Sequence, residues 1–224
     1  MMMKYNENGR SMVEMLGVLA IIGVLSVGGI AGYSKAMNKY KINKTTDQVS
    51  MLVANIRTLF SSQGNYEGLT NAQAIKFGVV PNDMYTPKSG SNSDITNAFG
   101  GDVTIKSSPA RTAEGENGTE AFIIEYEGLS SEACVTIATG DWGSGQASGL
   151  IAIAAGTSGS LSEALAGVVI DPSTDDAVDA EAGKVVGKPG SKTVPTPVSV
   201  TKAVTACDGA DNAGSGYGVA WKYY

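Results

Sequence analysis

From Met15 to Ser34 the chain carries no charged side chain, a run of about 20 residues, the length at which an α-helix rising about 1.5 Å per residue crosses the hydrocarbon of a bilayer. A membrane-spanning helix is therefore expected there. Glu14 stands at its N-terminal edge. A carboxylate at bilayer depth costs on the order of 2.5 kcal/mol or more unless something neutralises it, so Glu14 either reaches water at the interface or meets a cationic partner. Five glycines, Gly17, Gly23, Gly28, Gly29 and Gly32, interrupt the run. Each costs up to about 1 kcal/mol of helix propensity relative to Ala, which points to close packing of helices or to a soft point near Gly28-Gly29.

Ahead of the run lies a short polar leader, Met-Met-Met-Lys-Tyr-Asn-Glu-Asn-Gly, ending at Gly9 and followed by Arg10. No small-residue cleavage site of the secretory type follows the apolar segment, so the helix is expected to be retained. A leader ending in Gly, Glu at the fifth place after it and an unbroken apolar helix behind resemble the N-terminus of a type IV prepilin. In that family a membrane aspartyl peptidase cuts after the Gly and methylates the new amine, and the helix packs into the core of a filament. The resemblance implies cleavage between Gly9 and Arg10, N-methylation of Arg10, and a subunit-assembly role for Glu14 as the acid that meets the amine of a neighbour. Arg10 stands where the family usually shows Phe or Met.

Helical patterning continues beyond the span. Val49, Leu52, Val53, Ile56, Leu59 and Phe60 recur at spacings of three and four, one apolar stripe, so the first helix is expected from Ser11 to Ser62. Gly64 ends it. Leu69 to Phe77 reads as a short helix closed by Gly78. Strands are expected at Asp102–Lys106, Ala121–Glu127, Leu150–Ala154 and Tyr217–Tyr223, with helices at Leu129–Ala138 and Val198–Ala206 and loops at Ser89–Asn97 and Arg111–Thr119. The stretch from Gly156 to Pro197 has few large apolar residues and is expected to bury little surface. The fold class is thus α+β: a long N-terminal helical spine, its first half membrane-spanning, on a globular head with an antiparallel sheet, as in the type IV pilin fold. The segments are 1–9 leader, 10–34 apolar half-helix, 35–62 amphipathic half-helix and 63–224 head.

Composition narrows the function. The net charge is −6 and no long Lys/Arg run exists, so no direct nucleic-acid site is evident. His is absent, which removes imidazole-based catalysis and ligation, and with only two Cys the usual zinc sites are excluded. Neither a catalytic residue, a metal nor a cofactor is expected. Aromatic content of 7% beside 29 Gly suggests a loop-rich head without a dense aromatic pocket. The glycine-rich Gly143–Gly149 precedes a strand and opens no helix, so it reads as a loop. Two acidic groups, Asp171, Asp175, Asp176, Asp179 with Glu181 and Asp208 with Asp211 and Asn212, lack calcium-loop spacing and read as solvated loops.

In an exported head, Cys134 and Cys207 read as a disulfide, the alternative being two buried free thiols. The resemblance extends over Leu69–Pro81, Asn97–Asp102, Glu132–Cys134 and the turn at Cys207, which look like type IVb pilins, whose two cysteines bound a D-region, here 134–207. It implies a subunit of an extracellular pilus that partners itself, with the bacterial inner membrane, the prepilin peptidase and the assembly machinery acting before polymerisation. Adhesion, aggregation and DNA uptake are the roles such fibres serve. Two alternatives stand beside it: a minor pilin or type II secretion pseudopilin, and a signal-anchored periplasmic binding domain or enzyme that never polymerises.

Overall fold

The computed structural model describes residues 12–87, 94–110, 118–143, 148–159, 161–171, 175–181, 183–208 and 216–224. The leader, Gly9 and Arg10, most of the glycine-rich 143–149 loop, and Asp211 with Asn212 lie outside them. Contacts divide the chain into two units, one through Tyr40 and one from Lys41 to Tyr224.

The first helix, α1, spans Met12–Phe60. Its N-terminal part buries nothing, whereas from Ile42 onward one face is buried: Ile42, Thr45, Gln48, Val49, Leu52, Val53, Ile56 and Phe60. The stripe read from the sequence is that face, with one correction. Leu59 remains 37% exposed, because the stripe drifts round the helix and Phe60 takes the inward position of the last turn. The helix ends two residues earlier than expected, where Gly64 adopts φ +72°.

The second helix, α2 (Asn71–Lys76), is capped by Thr70, whose side chain accepts from Gln73 N. Gly78 leads the chain out at φ +67°, the left-handed conformation that a glycine adopts without penalty. The first strand, β1 (Val103–Ser108), pairs with β2 (Ala121–Leu129). Next comes α3 (Ser131–Ala138), whose N-cap Ser130 accepts from Ala133 N, and β3 (Leu150–Thr157).

The stretch from Gly156 to Pro197 departs from expectation. It forms α4 (Leu161–Ala166), β4 (Val178–Glu181) and β5 (Lys184–Gly187), and it buries Leu161, Leu165, Val168, Val169, Val185, Val186 and Val194. A few apolar side chains suffice because each meets a surface already in place. The chain closes with α5 (Val200–Cys207) and β6 (Tyr217–Tyr223).

The six strands form one sheet in the order β1-β2-β6-β3-β5-β4, every pairing antiparallel. The last strand therefore sits between β2 and β3, in register Ile124↔Trp221 on one side and Ile153↔Trp221 on the other. Both faces of the sheet are covered. Phe122, Ile124 and Tyr126 of β2 join Val219, Trp221 and Tyr223 of β6 in a core shared with the α1 stripe and with α3 and α5. The alternate positions, Ala121, Ile123 and Ala220, face Leu161 and Leu165 of α4. Burial on both faces explains why β2 reads as an apolar run and not as strict alternation.

The few aromatic residues are not scattered, contrary to the loop-rich expectation. Tyr66 and Phe122 centroids lie 4.7 Å apart, Phe122 and Tyr223 5.9 Å, Tyr126 and Trp221 5.7 Å, and Trp142 and Trp221 4.8 Å. Rings at these distances in offset or edge-on geometry attract beyond their buried area.

Candidate functional site

Three features were candidates for function: the apolar part of α1 with Glu14, the paired cysteines, and the acidic clusters. From Met12 to Ala36 every residue of α1 is exposed within the chain, among them Leu16, Leu19, Ile21, Val24, Leu25, Val27 and Ile30 at 61–75% for all seven. An apolar surface this continuous is not stable in water and requires a cover from outside the chain. Lipid and the helices of other subunits are the two covers of matching chemistry. Glu14 lies in the first turn, where the unpaired backbone N–H groups favour a carboxylate. It is exposed, and its expected cationic partner at Arg10 lies outside the described residues. The helix runs without a break through Gly28 and Gly29, and a Cβ at any of the five glycines would meet nothing within 4 Å. Among the described residues no packing inside the chain accounts for these glycines, which points to packing between chains or helix softening as their use.

Cys134 and Cys207 are joined, with Cα atoms 6.0 Å apart and a sequence separation of 73. Both are fully buried. The bond ties α3 to α5 on one face of the sheet, and Asp179 reaches α5 through an ion pair of 2.8 Å to Lys202. The segment the cysteines bound, 134–207, thus contains β3, α4, β4 and β5, and is pinned at both ends of its path.

The first acidic group is an internal fastening. Asp175 accepts from Ser191 Oγ at 2.6 Å, from Thr193 Oγ1 at 3.0 Å and from the backbone N–H of Lys192 and Thr193. Those donors, Ser191 foremost, hold its carboxyl below the usual range. Asp176 meets Lys188 Nζ at 3.5 Å, and Lys188 also donates to Asp171 O at 2.8 Å. Among the described residues no group of three or more His, Cys, Asp or Glu is placed to hold a metal ion.

Sequence reasoning missed two charges that organise this region. Glu125, 3% exposed on β2, accepts from the backbone N–H groups of Leu161 at 3.1 Å and Ser162 at 3.2 Å. Lys222, with no exposed surface on β6, donates through Nζ to the carbonyls of Leu165, Ala166 and Val168 at 2.9, 3.1 and 2.7 Å. One short helix is thereby closed at its N-terminus by a carboxylate and at its C-terminus by an ammonium, each satisfying groups that have no partner inside the helix. Burial pulls the Lys222 ammonium down to about 8, with the Asp176 charge acting in the opposite direction. The signal available in the sequence was a charge at an inward position of each apolar strand, Glu125 in step with Ile123 and Lys222 in step with Ala220.

On α1, Arg57 Nη2 donates to Tyr224 O at 3.0 Å and its guanidinium lies 5.0 Å over the Tyr223 ring. Gly149 closes against the same group: it adopts φ +72°, and a Cβ there would meet Arg57.

Comparison with known proteins agrees with this geometry. The family model described as PilS N terminal matches residues 39–214, more than half of the chain. The major structural subunit of bundle-forming pilus of Escherichia coli O127:H6 is 29% identical over 138 residues, 62% of this chain and 67% of that protein. Toxin coregulated pilin of Vibrio cholerae serotype O1 is 26% identical over 137 residues, 61% of this chain and 58% of that protein. The crystal structure of TcpA, a type IV pilin from Vibrio cholerae El Tor biotype, superposes with a TM-score of 0.52 at 20% identity, covering 83% of this chain and 99% of that one, a likeness of fold. A long N-terminal helix, a covered antiparallel sheet and a cross-linked C-terminal segment are thus joined by a family match over most of the head, and the chain belongs to the PilS N-terminal family as a type IVb pilin, a structural subunit of a pilus.

Proposed function

We propose that the chain is made as a precursor anchored in the bacterial inner membrane and polymerises into an extracellular pilus after its leader is removed. In this reading the prepilin peptidase cuts between Gly9 and Arg10 and methylates the Arg10 amine. The assembly machinery then transfers the apolar part of α1 from lipid to the interior of a fibre. Glu14 receives the Arg10 amine of a neighbouring subunit, and the pairing sets the register of successive chains. A carboxylate so placed recovers part of its desolvation cost only beside a cation. The protein's role is structural and not catalytic, and the relatives that are major subunits support a place as the major subunit here.

The observation that carries the reading is the wholly exposed apolar length of α1 with a carboxylate in its first turn. Membrane insertion gains nothing from that carboxylate, whereas a paired fibre does. Glu14→Val therefore separates the two uses. The variant is expected to fractionate with membranes at the wild-type level while surface fibres fall at least tenfold by quantitative electron microscopy. Normal fibre yield from Glu14→Val would remove the pairing.

A further inference from the structure

Two cations at the far end of the span have no ion-pair partner among the described residues. Between Glu14 and Asp47 the chain has four lysines, Lys35, Lys39, Lys41 and Lys44, and no carboxylate. The last two are engaged: Lys41 Nζ lies 5.6 Å from the centroid of the Phe99 ring, and Lys44 Nζ is 3.0 Å from Asp83. Lys35 and Lys39 are exposed, and among the described residues no ion pair joins either one. Lys35 follows directly on the apolar run, about 30 Å along the axis from Met15 at about 1.5 Å per residue, and Lys39 lies about 6 Å further. That is the depth of the headgroups for a helix whose apolar part fills the hydrocarbon.

At about 100° per residue Lys35 and Lys39 stand about 40° apart on one side of the helix, with Tyr33 and Tyr40 about 20° apart and roughly 130° round from them. The two tyrosines are 69% and 58% exposed. Amphipathic rings of this kind settle at the membrane interface, and ammonium groups one turn apart suit phosphate-bearing headgroups. Lysines at membrane-spanning helix ends ordinarily collect on the cytoplasmic side. Placing them at the exported end calls for a partner there.

We propose that Lys35 and Lys39 form a docking site for anionic phospholipid headgroups in the leaflet from which the head emerges. The site holds the unassembled subunit at a fixed depth and is vacated when the helix leaves the bilayer for the fibre. The proposal rests on the membrane-anchored reading above.

The test uses the full chain reconstituted in nanodiscs of phosphatidylcholine, with spin-labelled phosphatidylglycerol or phosphatidylcholine as tracer, and compares the fraction of each held at the protein. Wild type is expected to favour phosphatidylglycerol several-fold. The K35Q/K39Q variant is expected to bring the two tracers to parity, and K41Q/K44Q to keep the wild-type preference. A wild-type chain that inserts but shows no preference overturns the proposal alone, and so does a preference that survives K35Q/K39Q. Loss of assembly in K35Q/K39Q without any lipid preference in wild type would assign the lysines to a neighbouring copy, and the proposal falls. A chain that does not enter the disc at all removes the anchored reading and the proposal with it.

Discussion

Glu125 and Lys222 are buried charges without a mutual contact, and each is tolerated because a helix end supplies its hydrogen-bonding partners. Removing one of them leaves backbone groups of α4 unmet in a dry core, which costs several times a surface hydrogen bond. Lys222 also makes stability depend on pH. Its folded value of about 8 lies below that of a free lysine, so between pH 8 and about 10.4 the unfolded chain binds protons that the folded chain does not, and stability rises with pH over that window. The size is on the order of 3 kcal/mol. Tyr223 works the other way: burial pushes it up to about 12, so stability present at pH 10 is lost above it. Denaturant midpoints of the detergent-held chain at pH 7, 8, 9 and 10 are expected to climb more in wild type than in Lys222→Met. Equal slopes in the two chains would show that Lys222 is charged to the same extent in both states.

Among the elements, those with strong local signals were legible. The stripe of α1, the close of α2 at Gly78, and the alternation of β6 place their elements within a residue or two. What could not be read were α4, β4 and β5, of six, four and four residues. Their stabilising partners are remote in sequence: Glu125 and Lys222 for α4, Lys202 on α5 for Asp179 on β4. A helix of that length has no stability of its own in water. The same finding bounds what the disulfide does. The bounded segment packs in its own right and β6 is held on both sides, so the bond is not the sole fastening of the last strand. In the chain-entropy model a loop of this length is worth about 4 kcal/mol. Cys134→Ser or Cys207→Ser is expected to lower the denaturation free energy by that amount or less while far-ultraviolet circular dichroism stays native at low temperature. Loss of the sheet signal in the unheated variant would instead make the cross-link the main fastening of the last strand.

On the scale of the whole molecule, the exposed surface of the N-terminal part of α1 and the closed core of the head are opposite answers to one constraint. The head covers both faces of its sheet from within the chain, by α1, α3 and α5 on one side and α4 on the other. Among the described residues nothing covers the N-terminal part of α1, and its apolar length was legible at once from the uncharged run ahead of Lys35. Cleavage after Gly9 and methylation of the Arg10 amine are proposed from the leader pattern, and both residues lie outside the described ones. The most direct measurement is the intact mass of the protein in fibres sheared from the cell surface. The expected chain begins at Arg10, carries one methyl group on its amine and contains one disulfide. A chain that retains Met1, or sheared fibres that lack this protein, would contradict it.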